Sequence, residues 1–347
     1  MAGRTTIREL AKLSGVSVGT VSRALNGYPD VARETRARIL RLAAELEYTP
    51  GAAARTLVTQ RSHVIGVFLE TGCDHPDLQH PFFHEVMDGL KQAVGEGGYD
   101  LLLFAAERPG NGFVDRTYLN RCRHHDVDGV VLMGVWSEDP EVRRLVRSEV
   151  PCVGVDVDLG ATAVLVGSDN VAGARMAVEH LHRLGHRRIA TVTGLIETRP
   201  GMDRLRGYRT AIQALRLAYR DEYVVYGDYY VDSGSAAMAQ LLALEEPPTG
   251  LVVQSDLMAV GAIRTATAAG LRVPDDLSVV GFDDMPMAAH MRPALTTIRQ
   301  DKARLGREAA AALLRRIERS PDQPPTVTLP VELVVRGSTA PLGGIES

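Results

Sequence analysis

Two short amphipathic segments separated by a glycine, close to the N-terminus, constrain this 347-residue chain more than any other feature. Residues 6–9 (Thr-Ile-Arg-Glu) have the form of a capping box, and positions 7, 10 and 11 then place apolar side chains on one helical face. Gly15 can adopt the positive φ of a tight turn, and Ser17 is a good N-cap for a second helix. Positions 21, 24 and 25 repeat the apolar face. The pattern predicts two closely crossing helices, a helix-turn-helix.

The outward face of the second helix carries residues suited to reading DNA. Positions 18 and 22, and positions 19 and 23, are four apart and share one side of the helix. In this motif the start of the second helix enters the major groove. There, Arg23 can fork onto guanine, Val18 can offer methyl contact, and Gly19 lets the backbone approach closely. The expected DNA contacts of this segment are Thr6, Ser17, Val18, Gly19, Thr20, Ser22, Arg23 and Asn26.

The charge balance separates the first 62 residues from the rest of the chain. They hold ten Lys and Arg against five Asp and Glu, whereas the remaining residues hold 29 against 38. A helical hairpin from an ordinary bundle would also fit the apolar pattern, but a basic segment on an acidic body is typical of a DNA-binding module attached to a soluble domain.

A third helix is expected from about Arg33 to Leu46, with its arginines on a solvated face.

An alanine-rich segment with Pro50 near its start follows the third helix. Alanine favours helix, but a helix of about two turns is marginal in water on its own. Two interpretations therefore fit residues 49–62. The segment is a hinge that becomes helical on DNA, with Leu57 as a wedge in the minor groove, or it is a linker with Leu57 packed on the next domain.

Residues 63–340 alternate short, β-branched, apolar segments with helical ones. This order predicts an α/β domain, in which a parallel sheet carries helices on both faces and ligands bind beyond the C-terminal strand ends. No run of 18 apolar residues and no N-terminal apolar signal occurs, and the three cysteines lack metal-ligand spacing. We therefore expect a cytoplasmic protein with no membrane segment, no metal site and no cofactor.

Motifs along the whole chain resemble those of the lactose-repressor (LacI/GalR) family of bacterial regulators. They include Gly15-Val-Ser, Thr20-Val-Ser-Arg, Ala54-Arg-x-Leu, His80-Pro-Phe-Phe, Asp169-Asn, Ser255-Asp-x-Met-Ala and Val280-Gly-Phe-Asp-Asp. Two positions depart from the family pattern: Gly51 stands where Asn is common, and Ser255 stands where many relatives carry Asn.

The resemblance implies an all-α helix-turn-helix headpiece (1–48) with a hinge helix (49–62), followed by a two-lobed, type I periplasmic-binding-protein-like α/β domain with parallel sheets (63–340) and a short tail (341–347). One lobe would comprise residues 63–167 plus 299–325, and the other 168–298 plus 326–340. The hinge helices of a homodimer would enter the minor groove, which adds Ala54, Arg55 and Leu57 to the expected DNA contacts. The chain ends without the heptad helix that the family's tetramers use.

The resemblance also assigns side chains to the cleft between the lobes, and their chemistry suits a polyol. Carboxylates accept paired hydroxyl hydrogen bonds, a guanidinium donates a fork, and aromatic rings stack on the apolar face of a sugar. Either of the two phenylalanines fits the core equally well, and Trp136 is either a further stacking residue or an ordinary surface aromatic. The expected effector-binding residues are Phe82, Phe83, Asp156, Arg204, Tyr229, Ser255, Asp283 and Gln300.

No catalytic residue is expected, because the chain lacks P-loop, dinucleotide-binding, zinc-protease and serine-hydrolase motifs. His180, His182 and His186 are interpreted as surface residues of a helix and its C-cap rather than as metal ligands. A sugar-binding transport protein would share the cleft but not the basic helix-turn-helix. The sequence is therefore interpreted as a DNA-binding transcriptional regulator.

The simplest form of this regulator is a repressor of carbohydrate-utilisation genes that a sugar-like effector releases from a palindromic double-stranded DNA operator. A corepressor (a purine, a sugar phosphate or a partner protein) that strengthens DNA binding would use the same parts. The sequence does not decide whether the effector weakens or strengthens DNA binding.

Overall fold

The computed structural model describes residues 5–25, 27–48, 61–70, 80–105, 117–320 and 324–343. The chain divides into two compact units, Met1–Ser62 and His63–Ser347, each with its own hydrophobic core. The predicted DNA contacts Asn26, Ala54, Arg55 and Leu57 lie outside the described residues, as does most of the predicted hinge.

The described part of the first unit is built from three helices around a small apolar core. The capping box is present: the Thr6 N–H donates to Glu9 Oε2 (2.7 Å), and Thr6 Oγ1 accepts from the Glu9 N–H (3.3 Å). Gly15 ends the first helix with φ +68°, as the turn requires. Leu10, Val21 and Ile39 are fully buried, one from each helix. The helices are α1 (Ile7–Ser14), α2 (Val18–Leu25) and α3 (Arg33–Glu45).

The first lobe of the second unit is a parallel sheet with helices on both faces. Successive residues of a strand point to opposite faces of the sheet. Val131 therefore packs with the helices formed by residues 81–96 and 302–317, while Val130 packs with those formed by residues 118–124 and 140–146. In the described residues this sheet has six strands in the order β11-β5-β4-β3-β1-β2. The elements are β1 (Val64–Leu69), α4 (Pro81–Glu96), β2 (Asp100–Leu103), α5 (Tyr118–His124), β3 (Gly129–Met133), α6 (Pro140–Val146), β4 (Cys152–Val155), β5 (Val164–Ser168), α11 (Lys302–Ile317) and β11 (Thr326–Leu329).

The second lobe repeats this architecture, with one antiparallel strand at its edge. Its described strands have the order β12-β10-β9-β8-β6-β7, and β12 runs antiparallel to β10. The β8 and β9 strands are buried along their whole length, which fits the apolar sequence of β8 and of the middle of β9. The elements are α7 (Asn170–Arg183), β6 (Ile189–Thr193), α8 (Arg199–Ala214), β7 (Val224–Tyr226), α9 (Val231–Leu242), β8 (Gly250–Val253), α10 (Asp256–Ala268), β9 (Ser278–Asp283), β10 (Thr296–Gln300) and β12 (Val331–Val334).

The chain crosses between the lobes at different points from those predicted. Residues 326–329 were expected in the second lobe, but β11 pairs with β5 of the first sheet, where Val327 lies opposite Val166. Residues 299 and 300 were expected in the first lobe, but they end β10 of the second sheet. The third crossing falls at Pro330, between β11 and β12; proline has no N–H to donate to a sheet and therefore separates the two strands.

The prediction that His180 and His186 are surface residues is wrong. Both rings are buried, with exposed fractions of 8% and 2%. The His186 ring lies between Thr249 Oγ1 and the Ala340 carbonyl oxygen, each 3.1 Å from a ring nitrogen, and His180 Nε2 lies 3.0 Å from Thr339 Oγ1. The C-terminal segment supplies two of these three hydrogen-bond partners, Thr339 and Ala340, and the third, Thr249, lies just before β8.

Two helices of the first lobe cross with their backbones in contact at glycine. A Cβ atom added at Gly306 of α11 would lie 2.0 Å from the Val86 carbonyl oxygen, and one at Gly89 of α4 would lie 1.9 Å from the Ala303 carbonyl oxygen. Both neighbours are backbone atoms, which cannot rotate away.

Within the described ranges, no helix is long and apolar enough to cross a membrane.

We expect Gly306→Ala to destabilise the second unit by about 1–3 kcal/mol, because α4 and α11 must separate to admit the methyl group. Gly95→Ala is the matched control: this glycine lies on α4, and an added Cβ would meet nothing within 4 Å. Alanine there should be neutral or slightly stabilising. Thermal unfolding followed by circular dichroism compares the two variants. Equal melting temperatures would contradict the close helix contact.

Candidate functional site

The outward face of α2 in the first unit is accessible. Val18 is 41% exposed, and Arg23 is exposed while Val21 and Ala24 face the core. Arg23 Nε lies 3.6 Å from Asp30 Oδ2, and both side chains are about half exposed. An ion pair so exposed to water contributes little to the stability of the fold, and a DNA base edge could compete for the guanidinium.

Two of the predicted DNA contacts also have local structural roles. The Thr6 hydroxyl belongs to the capping box at the start of α1. Ser17 Oγ accepts from the Thr20 N–H (3.1 Å) and lies 2.9 Å from Thr20 Oγ1, so it caps the start of α2. Each hydroxyl caps the start of one helix, and their contact with phosphate stays a prediction.

A cavity of about 370 Å³ lies between the two lobes of the second unit. Its walls come from the C-terminal ends of parallel strands and the starts of α4 and α8, the position expected for a ligand site in this type of sheet. Six of the eight predicted effector-binding residues line it: Phe82, Phe83, Asp156, Arg204, Tyr229 and Asp283. Trp136, for which a surface position was an alternative, also lines it.

Arg204 fixes the charged wall of the cavity. Its guanidinium is almost completely buried, and its carbon lies 3.7 Å from the centre of the Phe282 ring. Its Nε donates to Asn170 Oδ1 (2.7 Å), and a terminal nitrogen donates to the Gln254 carbonyl oxygen. The other terminal nitrogen lies 3.7 Å from Asp283 Oδ1. These contacts hold Arg204 in position without a ligand.

Two of the aspartates that line the cavity, Asp156 and Asp283, differ in their surroundings. Burial raises the pKa of Asp156 to about 6, although the Arg204 guanidinium and the Ser168 backbone N–H act in the opposite direction. Asp283 Oδ1 accepts the Gln300 side-chain N–H at 2.7 Å. Asp156 and Asp283 both have positive φ, of 56° and 112°. L-residues rarely adopt such backbone conformations, and these tend to cluster at ligand sites.

Ser255 and Gln300, which were predicted to face the cleft, do not line the cavity. Ser255 Oγ donates to the Tyr229 carbonyl oxygen (2.9 Å) and caps α10. The Gln300 amide holds Asp283. Both side chains are fully buried because their hydrogen bonds point at neighbouring protein atoms. They therefore position lining residues instead of contacting a ligand directly.

Several lining residues were not assigned a role from the sequence. His80 precedes Pro81 at the start of α4, and Tyr230 follows Tyr229. At the rim, Arg199 of the second lobe donates to Asp158 Oδ2 of the first lobe (3.0 Å). One indication in the sequence placed Asp158 at the cavity: it follows Asp156, at a strand end, by two residues. Nothing in the sequence indicated the ion pair, because Arg199 lies 41 residues away along the chain.

Comparisons with known proteins identify the family. Residues 6–51 match the family described as "Bacterial regulatory proteins, lacI family", and residues 178–339 match a "Periplasmic binding protein-like domain". The chain is 36% identical to the "HTH-type transcriptional regulator CelR" of Thermobifida fusca, over 96% of this chain and 98% of that one. It is 33% identical to a "Ribose operon repressor" of Halalkalibacterium halodurans, over 96% and 97%.

The chain belongs to the LacI family. Among solved structures, a lac repressor dimer bound to operator is similar with a TM-score of 0.82 and 28% identity, covering 97% of this chain and all of that one. A "transcriptional regulator CelR-cellobiose complex" is similar with a TM-score of 0.72 and 33% identity, covering 96% and 100%. Members of the family are transcriptional regulators, and this chain is a DNA-binding regulator with an effector domain.

We predict that Arg23→Ala lowers operator affinity by about 1–3 kcal/mol and relaxes the preference at one base position, because a bidentate contact to guanine is lost. Selection from a random DNA library at fixed salt measures both effects. Arg38→Ala, on the exposed face of α3, is the matched control and should weaken binding without changing the preferred sequence. An unchanged base preference in Arg23→Ala would show that this residue reads no base.

Proposed function

We propose that this protein is a cytoplasmic, homodimeric transcriptional repressor of carbohydrate-utilisation genes, which a neutral sugar releases from a palindromic operator. One observation supports the sugar assignment: the cavity combines the fixed Arg204 guanidinium and several carboxylates with aromatic rings. Hydroxyl groups can bond the polar side chains, while the apolar face of a sugar ring can lie against the aromatic ones. Five aromatic side chains other than histidine line the cavity: Phe82, Phe83, Trp136, Tyr229 and Tyr230.

The charge of the cavity supports a neutral ligand over an anionic one. Two lining residues are arginines, Arg199 and Arg204, and both already engage carboxylates of the protein. An anionic sugar phosphate or uronate would meet an excess of negative charge in a partly desolvated site. The acidic lining residues are Glu138, Asp156, Asp158, Glu197, Asp228 and Asp283.

The names of several relatives support a carbohydrate ligand. The similar CelR structure is a cellobiose complex, and two of the similar repressors are named for the ribose operon. Other relatives at 34% identity are named PurR, so overall similarity does not separate sugar from purine. The preference for a sugar over a purine therefore rests on the residues that line the cavity.

The proposed release depends on the lobes changing their relative position when the sugar binds. Each lobe contributes lining residues, and the Arg199–Asp158 ion pair joins them at the rim. A sugar that prefers one lobe arrangement shifts the population of the protein toward it. If that arrangement disfavours the DNA-bound hinge, operator affinity falls by the coupling free energy, about 1–3 kcal/mol or 5- to 150-fold.

The test is operator binding, followed by fluorescence anisotropy, in the presence of single compounds. The panel contains cellobiose, ribose, glucuronate, glucose 6-phosphate and hypoxanthine. We expect a neutral sugar to weaken operator binding and the two anions to have no effect. A purine or anion that strengthens operator binding would establish corepression instead, and a panel with no effect would contradict the proposal.

We further predict that Asp283→Asn weakens the sugar response while leaving operator affinity intact, because Asn replaces a charged acceptor paired with Arg204. Hydrogen bonds to charged groups contribute about 1.5–3 kcal/mol, so the half-effective sugar concentration should rise about 10- to 100-fold. Asp275→Asn is the control, since Asp275 is exposed and pairs with Arg272 away from the cavity. Equal responses in both variants would remove Asp283 from the effector site.

A further inference from the structure

Lys302, the first residue of α11, is a buried charged residue that does not line the effector cavity. Its side chain is only 2% exposed. Taking an ammonium group out of water is costly unless its N–H groups find acceptors and a counter-charge lies near it. An apolar side chain of the same length would fill the position at lower cost, so the packing of α11 does not explain why a lysine stands here.

The acceptors of this ammonium are two successive backbone carbonyl oxygens of the second lobe. Lys302 Nζ donates to the Asp283 carbonyl oxygen at 2.6 Å and lies 3.4 Å from that of Asp284. Glu85 of α4 places a carboxylate oxygen 3.4 Å away, but its side chain is 39% exposed, so water weakens this attraction. Since α11 packs on the first sheet and Asp283 ends a strand of the second, the shortest contact joins the two lobes.

The two carbonyl groups belong to a strained turn. Asp283 and Asp284 have positive φ, of 112° and 50°, and neither is glycine. Such a backbone persists where the surrounding structure enforces it. Within the second lobe, Arg299 and Arg336 donate to the Asp284 carboxylate at 2.7 and 2.6 Å. Lys302 reaches the same turn from the first lobe and binds its backbone.

We propose that Lys302 is a positioning residue for the effector: its ammonium holds the Asp283–Asp284 turn and so keeps the Asp283 side chain at the cavity wall. This inference rests on the proposed function, in which Asp283 accepts a hydrogen bond from the sugar. Lys302 itself does not touch the ligand. The first lobe thereby supports a ligand-binding residue of the second.

Lys302→Met tests the role of the ammonium, because it keeps the length of the side chain and removes its three N–H donors. Without them the turn can relax, and the sugar must restore it on binding. We expect the dissociation constant to rise about 5- to 150-fold, the range that corresponds to the cost of one such backbone conformation. Isothermal titration with the sugar that releases the wild-type protein from operator, beginning with cellobiose, measures this constant.

The matched control is Lys91→Met. Lys91 is an exposed lysine of α4 that does not line the cavity, so this variant should bind the sugar like the wild type. A Lys302→Met protein that also binds like the wild type would overturn the proposal. A wild-type protein that binds none of the panel contradicts the proposed function instead, so the two failures are distinguishable.

A double-mutant cycle shows whether Lys302 acts through Asp283. Asp283→Asn removes the charged acceptor that the ammonium is proposed to hold in place. In that background Lys302→Met should weaken sugar binding by less than about 3-fold, because the group that it positions is already impaired. If the two single effects multiply in the double variant, Lys302 acts by a route independent of Asp283, which overturns the proposal.

An alternative role for Lys302 is to join α11 to α4 through the ion pair with Glu85. Glu85→Gln removes that carboxylate and leaves the contacts between the ammonium and the carbonyl groups in place. We expect this variant to bind the sugar within about 2-fold of the wild type, because a half-exposed ion pair contributes little. A loss as large as that of Lys302→Met would show that the ion pair is the role of Lys302.

Thermal unfolding and a rescue variant separate positioning from stability. Replacing a buried charge by an apolar side chain of similar volume is often neutral or stabilising, so Lys302→Met should melt no lower than the wild type. Lys302→Arg restores a positive donor, and a second cavity of about 560 Å³ beside Lys302 leaves room for the larger group. It should recover part of the lost affinity. A folded Lys302→Arg protein that binds no better than Lys302→Met would contradict a role for the positive donor.

Discussion

The effector site depends on one buried charge, the guanidinium of Arg204. It joins the start of α7, the segment after β8 and the end of β9 through Asn170, the Gln254 carbonyl and Asp283. A buried cation is tolerated only when its donors are satisfied and a counter-charge lies near it. Loss of the Asp283 charge would therefore leave Arg204 unpaired. The same arrangement holds Asp283 at the cavity wall, where a ligand hydroxyl can reach it.

Backbone strain occurs at residues that line the cavity. Asp156, Tyr229 and Asp283 all have positive φ, although none is glycine. Such conformations cost about 1–3 kcal/mol each and persist where the surrounding structure enforces them. Here the Asp156 N–H donates to the Val166 carbonyl (2.8 Å), and Ser255 and Gln300 bond the other two residues from behind. The protein thus retains costly backbone conformations at residues that line the cavity.

The sequence patterns predicted the headpiece helices and the alternating α/β order well because local signals specify them: the capping box at Thr6, Gly15 in the turn, and unbroken apolar runs in β3 and β8. The lobe boundaries, which the family resemblance supplied, placed β11 in the wrong lobe; this strand is short and mostly exposed, so its sequence gives little indication of the sheet that it joins. Residue type and strand-end position placed Asp156 and Asp283 at the cavity. They could not show that Ser255 and Gln300 are engaged by neighbouring protein atoms, since those bonds join residues 26 and 17 positions apart.

The proposed function requires that one small molecule in the cavity and the operator bind this protein antagonistically. Linkage requires the effect to be reciprocal: if the sugar weakens operator binding by a given factor, the operator must weaken sugar binding by the same factor. The most direct measurement is calorimetric titration of the releasing sugar into free protein and into protein saturated with operator. We predict dissociation constants that differ about 5- to 150-fold, with weaker binding to the complex. Equal constants would contradict the account, because a sugar that binds both states alike cannot release the DNA.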